Sequence, residues 1–299
     1  MEAIIDDEFL LQDRMQKIRS MNELYDLEHK AYISFSGGKD STVLHHLIDE
    51  ALPGNTIPRV YINTGIEYKK VVAFVERERE RDGRIIIIKP QKNIRQVLEE
   101  NGYPFKSKEH SLYLSVYQHS GMGKTIQRYM HREDSRFQCP DKLRYQFSTD
   151  FTLKVSNKCC YKIKKDVAEQ WQKANAKQIT ITGMRSTEGG LRATLKGCAI
   201  FDGDQLKKFH PLQPIEDDFV EWYINKRNIQ LCELYYPPFN FQRTGCKGCP
   251  YAVDLQKQLD IMSAYMPEER RQCELLWGPV YKEYRRIHYR LETTLFDNL

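Results

Sequence analysis

The chain has 299 residues, 40% hydrophobic and 29% charged, with a formal net charge of +5. That length holds one large domain or two modest ones and buries a core without disulfides, and the charge is too small to argue for nucleic acid by itself. No apolar run reaches the roughly 18 residues of a membrane span, and the acidic start Met1-Glu2-Ala3-Ile4-Ile5-Asp6-Asp7-Glu8 lacks a signal peptide's basic opening, so cytoplasm is the expected compartment.

In chain order, residues 8–28 are predicted as an amphipathic helix with Phe9, Leu10, Met15, Ile18 and Leu24 as its core face. Residues 31–35 form a first strand and 40–51 the helix after it. Arg59 to Asn63 is a second parallel strand ending in Thr64-Gly65. Residues 67–81 are a charged helix whose Glu76 to Arg81 run is a solvated face. Ile85 to Ile88 is a short apolar strand suited to a buried parallel sheet. A helix follows over 93–100. Residues 101–150 break the rhythm; they are polar and aromatic with no clear strand and are predicted as an insertion or lid. Helix returns over 158–175, strand over 178–182 ending at Gly183, and helix over 216–228. Pro237-Pro238 breaks the chain, and two helices separated near Pro267 fill 252–290. This alternation predicts an α/β fold, an open, mostly parallel sheet with helices on both faces. The expected organisation is a domain over 1–252, with the insertion at about 101–150, and a helical extension over 253–299.

The stretch Ser36-Gly37-Gly38-Lys39-Asp40-Ser41 stands where a strand hands over to a helix. Glycines let the backbone turn and approach a ligand. The first N–H groups of the helix lack internal partners and favour an anion. Lys39 adds a full charge, Ser36 and Ser41 add hydroxyls, and Asp40 suits a magnesium ion. The pattern lacks the Gly-x-x-x-x-Gly-Lys spacing of Walker A. Asn63-Thr64-Gly65 and Gly183-Met184-Arg185 also follow strands, where ligands of open α/β sheets bind. Residues 106–136 mix Lys106, Lys108, Lys124, Arg128, Arg132 and Arg136 with Tyr113, Tyr117 and Tyr129. That mixture suits either a nucleic-acid strand or a solvated helical surface with tyrosines packed beneath.

Eight cysteines in a chain without a secretory signal suggest metal or redox chemistry. Cys159 and Cys160 are adjacent, and Cys246 and Cys249 form a Cys-x-x-Cys. Four thiolates together suit zinc or an iron–sulfur cluster, and the neighbouring lysines favour thiolate. Cys139, Cys198, Cys232 and Cys273 lack such partners and are expected to be structural.

Ser-Gly-Gly-Lys-Asp-Ser resembles the PP-loop of the adenine-nucleotide alpha-hydrolase superfamily, which cleaves ATP between its alpha and beta phosphates. With Cys-Cys and Cys-x-x-Cys following, the chain resembles the phosphoadenosine phosphosulfate (PAPS) and adenylyl-sulfate reductase-like family. There the four cysteines hold a [4Fe-4S] cluster, which implies Cys159, Cys160, Cys246 and Cys249 as its ligands. Cys159 to Lys164 is similar to that family's Cys-Cys-x-x-Arg-Lys, with Ile163 in place of the arginine. Thr182-Gly183-Met184-Arg185 through Arg192-Ala193 is similar to its Thr-Gly-x-Arg segment, and His210-Pro211-Leu212 to its Pro-Leu segment.

Two departures bear on function. The family's reductases use a cysteine in a C-terminal tail, absent from Glu292 to Leu299, and commonly lose the loop lysine kept here as Lys39. Both departures point to ATP, and they bring the chain closer to sulfur-activating subunits of DNA phosphorothioation and to tRNA-thiolating enzymes that pair a PP-loop with a cluster. The implied activity is cleavage of ATP to AMP and pyrophosphate, activating an acceptor for sulfur transfer. ATP's pyrophosphate would lie on Ser36 to Ser41 and its adenine near Asn63, Thr64, Gly65 and Gly183. Mg2+, Lys39, Asp40, Lys164 and Arg185 would handle the charge. Expected partners are the adenine nucleotide, a nucleic-acid acceptor meeting 101–150 and a sulfur donor or thiol reductant protein. A homodimer is allowed and no membrane is expected. The alternatives are a sulfonucleotide reductase using Cys273 or an external thiol, and a non-catalytic nucleotide and cluster sensor.

Overall fold

A computed structural model describes residues 6–131, 138–188 and 197–292. Arg132, Arg136, Arg192, Ala193 and the stretch 293–299 lie outside the described residues. The elements in order are α1 Asp7–Tyr25, α2 Leu27–Lys30, β1 Ala31–Ser34, α3 Lys39–Ala51, β2 Arg59–Ile62, α4 Lys69–Arg81, β3 Ile85–Ile88, α5 Ile94–Asn101, α6 Lys108–Ser120, α7 Lys124–His131, α8 Asp166–Ala174, β4 Ile179–Ile181, β5 Ala199–Asp202, β6 Gln205–Phe209, α9 Asp217–Lys226, α10 Leu255–Tyr265 and α11 Pro267–Arg286. No helix among the described residues is long and apolar enough to cross a membrane.

The chain forms two compact units: 1–63, 67–89 and 167–244 make the first, and 64–66, 90–166 and 245–299 the second. They do not follow the expected division at residue 252. The reason is packing: the insertion and the C-terminal helices belong to one body, not to two appendages.

The first unit holds the sheet, in the order β3-β2-β1-β4-β6-β5. Every pairing is parallel except β5 with β6. The chain runs outward from β1 through β2 to β3, then resumes on the other side at β4, so the order reverses between β1 and β4. Successive residues of a strand face opposite sides. Ala31 and Ile33 enter a core with Leu11, Met15 and Ile18 of α1, Leu44 and Leu47 of α3, and Phe219 of α9. Tyr32 turns the other way and meets the Trp171 ring of α8 edge-on at 5.3 Å. This is the expected α/β class.

Three local expectations need correction. The buried stripe of α1 is Leu11, Met15, Ile18 and Met21, while Phe9 and Leu24 are 67% and 72% exposed. Phe9 lies off the stripe because two residues turn a helix by about 200°, and successive three-residue steps rotate Leu24 away from it. The helix expected to reach residue 28 stops at Tyr25, where Asp26 takes φ +55°. The β5–β6 hairpin across Asp202-Gly203 was not expected, although Asp-Gly is a hairpin signal.

The second unit is helical. In the insertion, Ser107 caps α6 by accepting the His110 N–H at 3.1 Å. His110 is fully buried, with Nδ1 2.8 Å from the Tyr129 hydroxyl and Nε2 2.7 Å from Gln146 Oε1. The rings of Tyr113 and Phe147 pack on Tyr129. The insertion's aromatics therefore build its own core, while Lys108, Lys124 and Arg128 face solvent.

Candidate functional site

The loop after β1 sits at the sheet's reversal point, where open α/β sheets bind ligands. Gly37 has φ +69°, and a Cβ there would stand 2.7 Å from Val75 Cγ2 and 3.2 Å from Val71 Cγ1. Only glycine gives that turn between strand and α4. Hydroxyls hold the loop closed. Ser41 Oγ donates to the Gly38 carbonyl at 2.9 Å and accepts the Ser36 N–H at 3.2 Å. With that proton committed, Ser36 Oγ donates to Ser41 Oγ at 2.9 Å and accepts the Gly38 N–H at 3.3 Å. Lys39 opens α3 behind Gly38 as N-cap.

Gly183, just past β4, meets this turn closely: a Cβ there would lie 2.7 Å from the Asp40 carbonyl oxygen. Arg185 is buried and held on both sides, by Asp40 Oδ1 at 2.9 Å and Asp217 Oδ1 at 2.6 Å. The Arg185 hydrogen bond keeps Asp217 below its usual carboxylate range, with help from Lys39 and Arg243. Arg185 thus fixes Asp40 at the loop. Behind it, Thr182 Oγ1 is 2.8 Å from His210 Nδ1, which seats the His210-Pro211-Leu212 segment against the Thr-Gly-x-Arg turn.

The second unit gathers the cysteines. Cys159 and Cys160 Sγ are 3.9 Å apart, and a π-helical turn over Tyr161–Lys165 follows them. The shared Cys159 proton, then the ammonium groups of Lys108, Lys164 and Lys165, bring the Cys160 thiol down to about 6 against the cost of burial. Burial raises Cys249, and the charges at Cys246 and Cys160 raise it further, so all four thiols feel one another. Helix α11 shapes the Cys-x-x-Cys loop. Trp277 Nε1 donates to the Lys247 carbonyl at 3.1 Å, Tyr281 OH to the Gly248 carbonyl, and Tyr284 OH to the Pro250 carbonyl at 2.9 Å. The Lys247 N–H donates to the Ile66 carbonyl at 2.8 Å, placing Thr64, Gly65 and Ile66 with this loop. Asn63 stays in the sheet unit, its N–H on the Ile88 carbonyl at 2.8 Å.

Four thiols with three lysines beside Cys160 form a donor set that fits a multi-thiolate centre. Among the described residues, no three of these sulfurs lie within 4.8 Å of one another. A tetrahedral zinc with bonds of about 2.3 Å sets its sulfurs about 3.8 Å apart. Thiolate ligands in these numbers are the donors of both zinc and iron–sulfur centres. The described residues do bring His45, Asp49 and Asp82 within that limit. Arginines claim that group, however. Arg59 Nε donates to His45 Nδ1 at 3.1 Å, and Arg84 binds Asp49 and Asp82 at 2.8 Å each. With Nδ1 accepting, the His45 Nε2 carries the proton and faces the carboxylates, so the trio is an internal ion network.

Sequence reasoning missed Tyr235, Thr244, Asp217 and Arg243 at the loop. Tyr235 OH accepts the Lys39 N–H at 2.9 Å and lies 2.8 Å from Thr244 Oγ1. None belongs to a recognisable motif; the run of basic and hydroxyl residues Arg243-Thr244 before Gly245-Cys246 is the only hint.

A glycine-backed lysine loop at the reversal point of a mostly parallel sheet defines an α/β protein of the PP-loop class. Residues 30–252 match the family described as phosphoadenosine phosphosulfate reductase domain, and the chain belongs to that family. It is 29% identical over 103 residues to the uncharacterized protein MJ0973 of Methanocaldococcus jannaschii, a match covering 31% of this chain and 25% of that protein. The chain thus spans about a quarter of the length of that curated relative. Among solved structures it is similar to a phosphoadenylyl-sulfate reductase of Candida auris (13% identity, 81% of this chain and 96% of that one, TM-score 0.45). It is also similar to the U34-tRNA thiolase NcsA of Methanococcus maripaludis with its [4Fe-4S] cluster (15%, 96% and 81%, TM-score 0.39). A third is an NH3-dependent NAD synthetase of Campylobacter jejuni (12%, 97% and 100%, TM-score 0.42).

Proposed function

We propose that the protein binds ATP, cleaves it to AMP and pyrophosphate, and so activates an acceptor for sulfur transfer. The observation that carries this reading is Lys39 at the start of α3, behind a glycine turn closed by Val71 and Val75. A point charge and helix N-terminal donors there suit a leaving pyrophosphate. An acceptor oxygen attacks the alpha phosphorus, the bond to the bridging oxygen breaks, and pyrophosphate leaves with its electron pair. A sulfur nucleophile then displaces AMP from the acceptor.

Lys39 neutralises the leaving group, and Arg185 holds Asp40 in place for Mg2+ arriving with the nucleotide. The adenine rests toward Gly183 and Asn63, with Thr64 and Gly65 following in sequence. Cys159, Cys160, Cys246 and Cys249 would hold a [4Fe-4S] cluster, which supplies a binding site for sulfur or electrons. Lys164 offsets the charge of those thiolates. The exposed Lys108, Lys124 and Arg128 of the insertion support a nucleic-acid acceptor. A sulfur donor or thiol reductant protein completes the cycle.

A second reading, reduction of a sulfonucleotide to sulfite, is favoured by the family description over residues 30–252. Anaerobically purified protein decides between them. Pyrophosphate release from ATP without sulfite from adenylyl sulfate or its 3′-phosphate is the expected outcome; sustained sulfite release replaces the first reading with the second.

A further inference from the structure

Three hydroxyls converge on the phosphate loop. A methyl built on Gly38 would lie 3.2 Å from both the Tyr235 hydroxyl and Thr244 Oγ1, and 3.3 Å from Ser36 Oγ. Any side chain at 38 would fill the space they share. Tyr235 OH accepts the Lys39 N–H at 2.9 Å, one of the helix N-terminal donors on which an anion would rest. Because the phenol oxygen accepts there, its own proton is free for Thr244 Oγ1, 2.8 Å away. Burial raises the Tyr235 pKa, so the phenol stays protonated and remains a donor.

A charged phosphate oxygen is a better acceptor than a neutral phenol. It therefore takes the Lys39 N–H from Tyr235 and leaves the phenol proton beside it. We propose that Tyr235 and Thr244 are the exchangeable half of the phosphate site: Tyr235 caps α3 without ligand, then turns its O–H onto the bound phosphate while Thr244 steadies it. Both are positioning and binding residues for the beta and gamma phosphates. This rests on the reading that the loop takes pyrophosphate. It adds a site half drawn from the 233–244 segment, which no motif marks.

The test is calorimetric binding of inorganic pyrophosphate, ATP and AMP to the full chain, with ligand-free melting in parallel. Tyr235→Phe keeps the ring and removes only the hydroxyl. Loss of one hydrogen bond to a charged group weakens pyrophosphate and ATP about ten- to a hundredfold, while AMP, which lacks those phosphates, binds as before. Thr244→Val weakens both several-fold and Thr244→Ser restores them. A purely structural cap would instead move all three ligands together, which overturns the proposal; a lower ligand-free melting temperature follows on either account, because Tyr235 accepts the Lys39 N–H without ligand. Equal or tighter pyrophosphate binding by Tyr235→Phe overturns it too, and leaves the ATP reading standing. Wild-type protein that binds neither pyrophosphate nor ATP removes the ATP reading itself. Should Tyr235→Phe fail to fold, the Thr244→Val and Thr244→Ser pair decides.

Discussion

The phosphate loop of residues 36–41 is shaped by its own backbone and its own serines, whereas the Cys-x-x-Cys loop is shaped by α11. In the first unit, Ser36, Gly37, Gly38 and Ser41 close the turn among themselves. In the second, three aromatic side chains of a later helix pin the carbonyls of Lys247, Gly248 and Pro250. The first loop is closed by its own serine hydroxyls and braced from several later elements through Val71, Val75, Tyr235 and Arg185, whereas the second takes its carbonyl struts from one helix. The difference teaches where each half is vulnerable.

The largest effect should come from Lys39→Ala. Removing one electrostatic stabiliser of a transition state costs about 10²–10³ in rate. Pyrophosphate formation from ATP should fall by that factor while iron content is unchanged; parallel loss of iron would mean the two halves are not separable. Gly248→Ala strikes the other half. Gly248 has φ +59°, and a Cβ there would stand 2.7 Å from Cys273 Sγ and 2.9 Å from its Cβ. Strain and overpacking together cost about 3 kcal/mol. Urea unfolding and iron content should both suffer, with pyrophosphate affinity kept.

Acid should weaken both units. Burial lowers His45 of the first unit and His110 of the second from 6.5 to about 4 each. The unfolded chain takes up these protons first, so stability is full above about pH 6.5 and falls as pH drops toward 4. Each histidine contributes on the order of 2–3 kcal/mol to that loss. Denaturant midpoints at pH 7, 5.5 and 4.5 measure it; a flat profile removes the buried-neutral assignment.

Arg185→Lys should cost about 2 kcal/mol in kcat/KM, because one ammonium cannot bridge Asp40 and Asp217 as the planar fork does. The smallest effect is Tyr281→Phe, which removes the donor to the Gly248 carbonyl and should lower stability by about 1 kcal/mol. An unchanged midpoint would show that the remaining struts suffice.

The same contrast explains what could be read from the chain. The loop of residues 36–41 stood out because its determinants are contiguous and glycine has few other reasons to stand there. Tyr235, Thr244 and Asp217 reach the loop from far along the sequence, and nothing in their neighbours distinguishes them from ordinary surface residues. The four cysteines were legible by residue type, but their struts Trp277, Tyr281 and Tyr284 read as core residues of a helix, which they also are. Hairpin β5–β6 escaped because Gln205, Lys207 and Lys208 make β6 look like a polar loop, although it pairs on both sides, with β4 and with the edge strand β5. Helices α6 and α7, separated at Gly121–Gly123, match the reading of 106–136 as a solvated helical surface with tyrosines packed beneath.

The interleaving of the two units bears on how the protein is made. Strand β1 pairs with β4 through Ala31 and Ile179, so the first strand leaves the ribosome long before one of its neighbours exists. Closing so long a loop is entropically dear, and folding dominated by such distant pairings is slow. The four thiols likewise meet only after Cys249 has emerged, with 64–66 and 90–166 already waiting. Neither unit can be excised as an uninterrupted piece. Assembly of the four-thiol site is therefore a late event in biosynthesis, and a fragment truncated before β4 would leave β1 with an unpaired side in addition to the two edges, β3 and β5, that the finished sheet already carries.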